Sequence, residues 1–468
     1  MRGVAQPGSA LGLGPRGRRF ESSRPDHFLW LTGGCPLRPP FSLDQNRIVH
    51  TRNNSLLKYP IGKIGGRLRG IDALRGAAAL GVVLYHEVGS KPLPRVGPVA
   101  TWFTTPLWAG SSFGYAGVFL FFVISGFCIH LQWSSRRLTE QNPRLDFKAF
   151  WKRRVKRLYP PYLFALTIFL VVAGVTTPFR VSAMYLWDLL LHLLMLHNLD
   201  VRTTYSINGV FWTLAIEEQL YLLYFVLLFL RNRFGWRRTL IVCAATRVGW
   251  LLLALSAQRW FGVQIPVPEA ALSHWFTWAL GAIAVEAAFG IVTLPRWCSR
   301  TSIGVLALLS AVSATQLLPL LQPIKALHDS AWLLLHPLWG VAFFIIVNRL
   351  VAAEKKWRES QRIPVFIRAF AAVGLISYSL YLTHELVLME AYRFEALGLP
   401  PTFVAVVIMT PATLLFAWLF FTFCERPYLR SPRIRRNAPY VSAPAMSAYL
   451  SGPIAVTAPA LSAEPAPK

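Results

Sequence analysis

The chain has 468 residues, of which 54% are hydrophobic and only 15% charged, with a mean hydropathy of +0.44. That balance excludes an ordinary soluble domain and points to a polytopic membrane protein. The net charge of +27 would suit nucleic acid, but the basic residues fall between apolar runs, where a membrane protein needs cytoplasmic anchors, so nucleic-acid binding is set aside.

Residues 1–66 read as a disordered N-terminal arm. Its first 45 or so contain no apolar h-region of signal-peptide length. They resemble a translated transfer-RNA gene joined upstream of a reading frame, which makes Met1 a misassigned start. The next methionine is Met184, so the natural start would be a non-ATG codon, at Val49, Leu56 or Leu57.

From there to about residue 430 the chain reads as an all-α bundle of about ten membrane spans. The apolar stretches are approximately 70–88, 113–133, 160–177, 211–230, 239–257, 271–290, 301–320, 331–349, 369–390 and 402–423. Each is long enough to cross a hydrocarbon core of about 30 Å. Residues 185–198 are apolar but short, and they carry Asp188, His192 and His197, so they read as an interfacial or re-entrant helix. The charge distribution agrees: the inner connecting segments hold 26 Lys and Arg, the outer ones 7. This places both termini in the cytoplasm. The tail at 431–468 is Pro/Ala/Ser-rich and reads as disordered. The five cysteines, Cys35, Cys128, Cys243, Cys298 and Cys424, form no CxxC pair. They imply no disulfide framework, and no metal is expected.

Arg75 and His86 stand eleven steps apart in the first span. At about 100° and 1.5 Å per residue they share nearly one helix face, roughly 16 Å apart. Two ionisable side chains there mark either a functional polar track or a pair of interface anchors that snorkel in opposite directions. A histidine with an ordinary pKa near 6.5 suits a general base. Glu87 points about 100° away and is the weaker partner.

The run Lys152-Arg153-Arg154-Val155-Lys156-Arg157 precedes Tyr159-Pro160-Pro161. It reads as an inner loop, either a positive-inside anchor or a holder of phosphates by forked contacts. Asn208 to Tyr221 places Glu217, Glu218 and Gln219 inside the fourth span, where unpaired carboxylates are costly. Glu217 and Tyr221 form an i, i+4 pair. Ser377 to Glu385 brings a further intramembrane histidine, His384. His274, His336 and Arg247 read as packing or helix-bridging groups.

Taken in order and spacing, these segments, with Arg69-Gly-Ile-Asp72, Ser125-Gly126-Phe127 and Cys424-Glu425-Arg426-Pro427, resemble the acyltransferase-3 family of membrane acyltransferases, which includes bacterial polysaccharide O-acetylases. The resemblance covers about 67–430. It implies that Arg75, His86, Arg153, Arg154 and Arg157 are essential. It also implies a membrane core without the SGNH-type hydrolase domain that some relatives carry. The expected reaction is acyl transfer, acetyl foremost, from acyl-CoA to a hydroxyl of a carbohydrate or lipid-linked glycan at a bacterial inner membrane. His86 would be the base, with Arg75 and Glu217 in catalysis, and the three loop arginines would bind the CoA phosphates. Glu218, Tyr221 and His384 would bind acceptor or orient the imidazole. A proton-coupled transporter, or a non-catalytic assembly factor, could use the same buried groups.

Overall fold

The computed structural model describes residues 68–429, apart from 92–97, 141–142, 177–181, 325–327, 329, 361, 391–392, 395–398 and 400. The arm expected at 1–66 and the tail expected at 431–468 lie outside the described residues. Every regular element described is helical, with no strand among the described residues. This bears out the all-α class, and it follows from the apolar composition: in lipid a backbone must satisfy its own hydrogen bonds.

The elements that matter are α1 (Arg69–Leu84), α2 (Pro98–Ser111), α3 (Gly117–Arg137), α4 (Phe147–Thr176), α5 (Ala183–Leu193), α6 (Trp212–Phe261), α7 (Ala271–Ala288), α8 (Thr301–Leu317), α9 (Trp332–Ser360), α10 (Val365–Leu375), α11 (Ser377–Leu388) and α12 (Pro401–Leu429). Six helices are long and apolar enough to cross a membrane, or seven if α10 and α11, bent by 71° at Ile376, form one broken span. The sequence suggested about ten apolar stretches. The stretches at 211–230 and 239–257 are two helical segments of α6 that meet at a kink, where Gly235 is non-helical with a φ of 73°. The stretch at 70–88 is helical throughout, α1 running on into a turn over Tyr85–Gly89, and it carries Asp72 and Arg75; α7 carries His274 and Glu286. The 185–198 stretch forms only the 11-residue α5 before a 3₁₀ turn at His197–Leu199.

Close packing fixes the helices around the site. α1 lies along α10, and α3 along α7. A Cβ on Gly76 would stand 2.0 Å from the Phe370 carbonyl oxygen, and one on Gly374 would stand 1.9 Å from that of Asp72. Glycine therefore lets the two backbones touch, as small residues do between membrane helices. The start of α1 is held by Glu354 of α9, whose carboxylate accepts the amides of Arg69 (3.2 Å) and Gly70 (2.8 Å). These are amides that a helix start leaves unpaired.

A second buried knot joins α3, α6 and α7. Glu286 accepts from Arg231 (2.9 and 2.7 Å) and Trp236 (2.8 Å), and lies 2.8 Å from His130 Nε2. His130 Nδ1 meets the Tyr224 hydroxyl at 3.0 Å. Arg247 bridges helices by donating to the carbonyls of Ser273, Trp332 and Leu333.

Candidate active site

The α ladder of α1 widens into a π turn over Tyr85–Gly89, a feature concentrated at functional sites. His86 on this turn places Nδ1 3.2 Å from Glu385 Oε1 of α11. The His384 ring stands edge-on to His86, with centroids 5.2 Å apart. His384 Nδ1 faces the carbonyl oxygens of Tyr381 at 2.9 Å and Leu380 at 3.2 Å. A carbonyl can only accept, so Nδ1 carries the proton and Nε2 keeps its lone pair. That Nε2 is buried and has no hydrogen-bond partner. Glu385 Oε2 accepts the Gly209 amide at 2.9 Å. A Cβ at Gly209 would come within 2.9 Å of Glu385 Oε1, so a side chain there would push the carboxylate out of this position. With Glu385 accepting from Nδ1–H, His86 Nε2 is left to take a proton.

A cavity of about 340 Å³ opens beside this centre, lined by Arg75, Ser125, Arg154, Arg157, Glu217 and Tyr221 among others. Arg75 Nη2 lies 3.2 Å from Cys128 Sγ, and Nη1 3.7 Å from Asp72. Glu217 Oε1 accepts from Ser125 Oγ at 2.8 Å and from the Tyr221 hydroxyl. The Arg154 guanidinium sits over Phe150 and Tyr221, 5.5 and 5.8 Å from their ring centres, and its buried Nε has no partner. Thr213 and Tyr381 also line the cavity, their hydroxyls 2.7 Å apart. The Tyr381 ring is 5.8 Å from His384, so the cavity wall and the histidine centre share this residue.

The family model for an acyltransferase domain matches residues 68–422. The chain belongs to the acyltransferase-3 family. O-acetyltransferase OatA of Staphylococcus aureus is 25% identical over 382 residues, covering 77% of this chain and 57% of that protein. Peptidoglycan O-acetyltransferase OatA of Listeria monocytogenes is 28% identical over 184 residues, 34% of this chain and 24% of that protein. The chain thus spans little more than half the length of the curated relatives it matches. No solved structure matches. Nothing in the family or these relatives supports the transporter alternative.

In this family member the residues expected at the site fall into two groups. Arg75, Glu217 and Tyr221 line the cavity, while His86 and His384 form the centre beside it. The basic run is not a loop: it is helical within α4, which continues through Pro160 and Pro161. Membrane helices tolerate proline, and the Tyr378 hydroxyl ties α11 to this part of α4 by donating to the Leu158 carbonyl at 2.9 Å. Arg154 and Arg157 reach the cavity, while Arg153, exposed and about 100° from Arg154 around the helix, does not line it. Glu218 also lies off the cavity, buried, with neither carboxylate oxygen hydrogen-bonded. Glu87 accepts from Thr410 Oγ1 at 2.6 Å.

Glu385 is the residue of this centre that the sequence does not single out. Its signal was present, a carboxylate following His384 in a membrane segment, but periodicity does not tell which helix that carboxylate meets. The connection leading to Gly209 is pinned by Asp200, which Arg202 holds at 2.6 Å and Trp187 at 3.0 Å. The hydrogen bond from Arg202 keeps the Asp200 carboxyl below the usual carboxylate range.

Proposed function

We propose that the protein is a multi-pass O-acyltransferase of a bacterial inner membrane. It moves an acyl group, acetyl foremost, from acyl-CoA to a hydroxyl of a carbohydrate or lipid-linked glycan. The observation that carries this reading is the His86–Glu385 pair beside a cavity lined by three arginines. The arginines Arg154 and Arg157 suit the CoA phosphates, and Arg75 suits the pantetheine arm. His86 Nε2 takes the proton of the acceptor hydroxyl while its oxygen attacks the thioester carbonyl. The C–O bond forms, the C–S bond breaks, and the thiolate collects a proton and leaves as CoA thiol. Glu385 stabilises the imidazolium by accepting from Nδ1–H. The two OatA relatives, named as O-acetyltransferases, favour a cell-envelope hydroxyl as acceptor.

The test is release of free CoA thiol by purified protein given acetyl-CoA and glycan acceptors, with acylated glycan detected by mass spectrometry. The His86→Ala variant should lose both signals while eluting as the same folded species. Wild-type rates in that variant would overturn the assignment. A transporter would release no thiol.

A further inference from the structure

The histidine centre presents a set of metal ligands that the reaction does not require. One donor atom from each of His86, His384 and Glu385 lies within 4.8 Å of the other two. His384 has the arrangement that orients metal-bound imidazoles, with one nitrogen donating to backbone carbonyls and the other carrying a lone pair. That second nitrogen, Nε2, is buried with no partner. Glu385 is likewise oriented from behind by the Gly209 amide, leaving Oε1 toward His86. The His86 side chain is 21% exposed and stands on a π turn, so the centre is reachable. Two imidazoles and one carboxylate with a free fourth position match the preferences of Zn²⁺. Zinc bond lengths of about 2.0–2.2 Å require the three donor atoms to draw closer together when the ion binds.

We propose that His86, His384 and Glu385 form a Zn²⁺-binding site, and that occupancy inhibits the acyltransferase. The inference rests on the reading of His86 as the base: zinc takes the lone pair and the carboxylate that proton transfer uses. The ion acts as a reversible block at the acceptor side of the centre.

Binding is measured on the full purified chain, independently of turnover. After chelator treatment, equilibrium dialysis should find one Zn²⁺ per chain, and Co²⁺ should give the intense visible absorption of a four-coordinate site. His384→Asn, His86→Asn and Glu385→Gln, each checked for unchanged elution, should weaken binding by about 100-fold or more. In the wild-type protein Zn²⁺ should suppress CoA release in step with occupancy, and a chelator should restore it. Substoichiometric binding, or binding unchanged in the folded variants, overturns the metal site. Stoichiometric binding with undiminished CoA release overturns the inhibition. Absence of CoA release under metal-free conditions with a range of acceptors would instead count against the acyl-transfer reading, while dialysis and Co²⁺ absorption would still decide the metal site.

Discussion

Glu385 Oε1 lies 3.2 Å from His86 Nδ1, and the other oxygen of the same carboxylate is held by the Gly209 amide. One side chain thus sets the tautomer and direction of the imidazole. Glu385→Gln keeps the shape and can still accept from Gly209, but it removes the charge that stabilises a protonated His86. Well-placed base catalysis is worth about 10²–10⁴-fold, so kcat for CoA release should fall within that range. The KM for acyl-CoA should change little, because Glu385 does not line the arginine cavity. An unchanged kcat would remove Glu385 from the catalytic centre.

Much of this arrangement was legible in the sequence. Costly polar groups in apolar runs singled out Arg75, His86, Glu217, Tyr221 and His384, and each lies in or beside the site. What stayed hidden depends on contacts between helices distant in sequence. A count at 100° per residue assumes an unbroken α ladder, so it does not foresee the π turn that carries His86. A run of five charges beside two prolines reads as a loop, although neighbouring helices tolerate proline in α4.

The contact between α1 and α10 should tolerate no added side chain. Gly374→Val puts its Cβ 1.9 Å from the Asp72 carbonyl oxygen, so the helices must part. Overpacking typically costs about 1–3 kcal/mol and more where backbone is struck. The expected result is a lower thermal midpoint in detergent and loss of CoA release, since Arg75 and Tyr381 lie on the elements this contact positions. Gly174→Ala is the control, because nothing stands within 4 Å of its added Cβ; it should unfold like the wild type. Equal stability of the two variants would refute the packing argument.

The Glu286 knot should govern stability rather than chemistry. Its carboxylate is fully buried, and it pairs with Arg231, Trp236 and His130. Glu286→Ala leaves those groups facing a carboxylate-sized gap, and removing one partner of a buried ion pair costs about 3–5 kcal/mol. None of the four lines the arginine cavity. The variant should therefore show a clearly depressed thermal midpoint and low yield, while its surviving folded fraction keeps wild-type CoA release per molecule. A normal midpoint with lost turnover would instead move this network into the reaction.

Neighbouring arginines on α4 should differ sharply in their effect on the donor. Arg154 lines the cavity, braced over Phe150 and Tyr221, with its Nε buried and unpartnered. Arg153 is exposed on another face. Hydrogen bonds to a charged partner contribute about 1.5–3 kcal/mol, and each 1.4 kcal/mol is about tenfold in binding. Arg154→Ala should thus raise the KM for acyl-CoA by roughly 10–100-fold, and Arg153→Ala by less than about twofold. Arg154→Lys should recover only part of the loss, because an ammonium lacks the planar fork that grips a phosphate. Initial-rate measurements over a range of acyl-CoA concentrations separate these outcomes. Equal effects at the two positions would mean that the donor meets the basic end as a diffuse charged surface, and that the cavity face of α4 holds no phosphate.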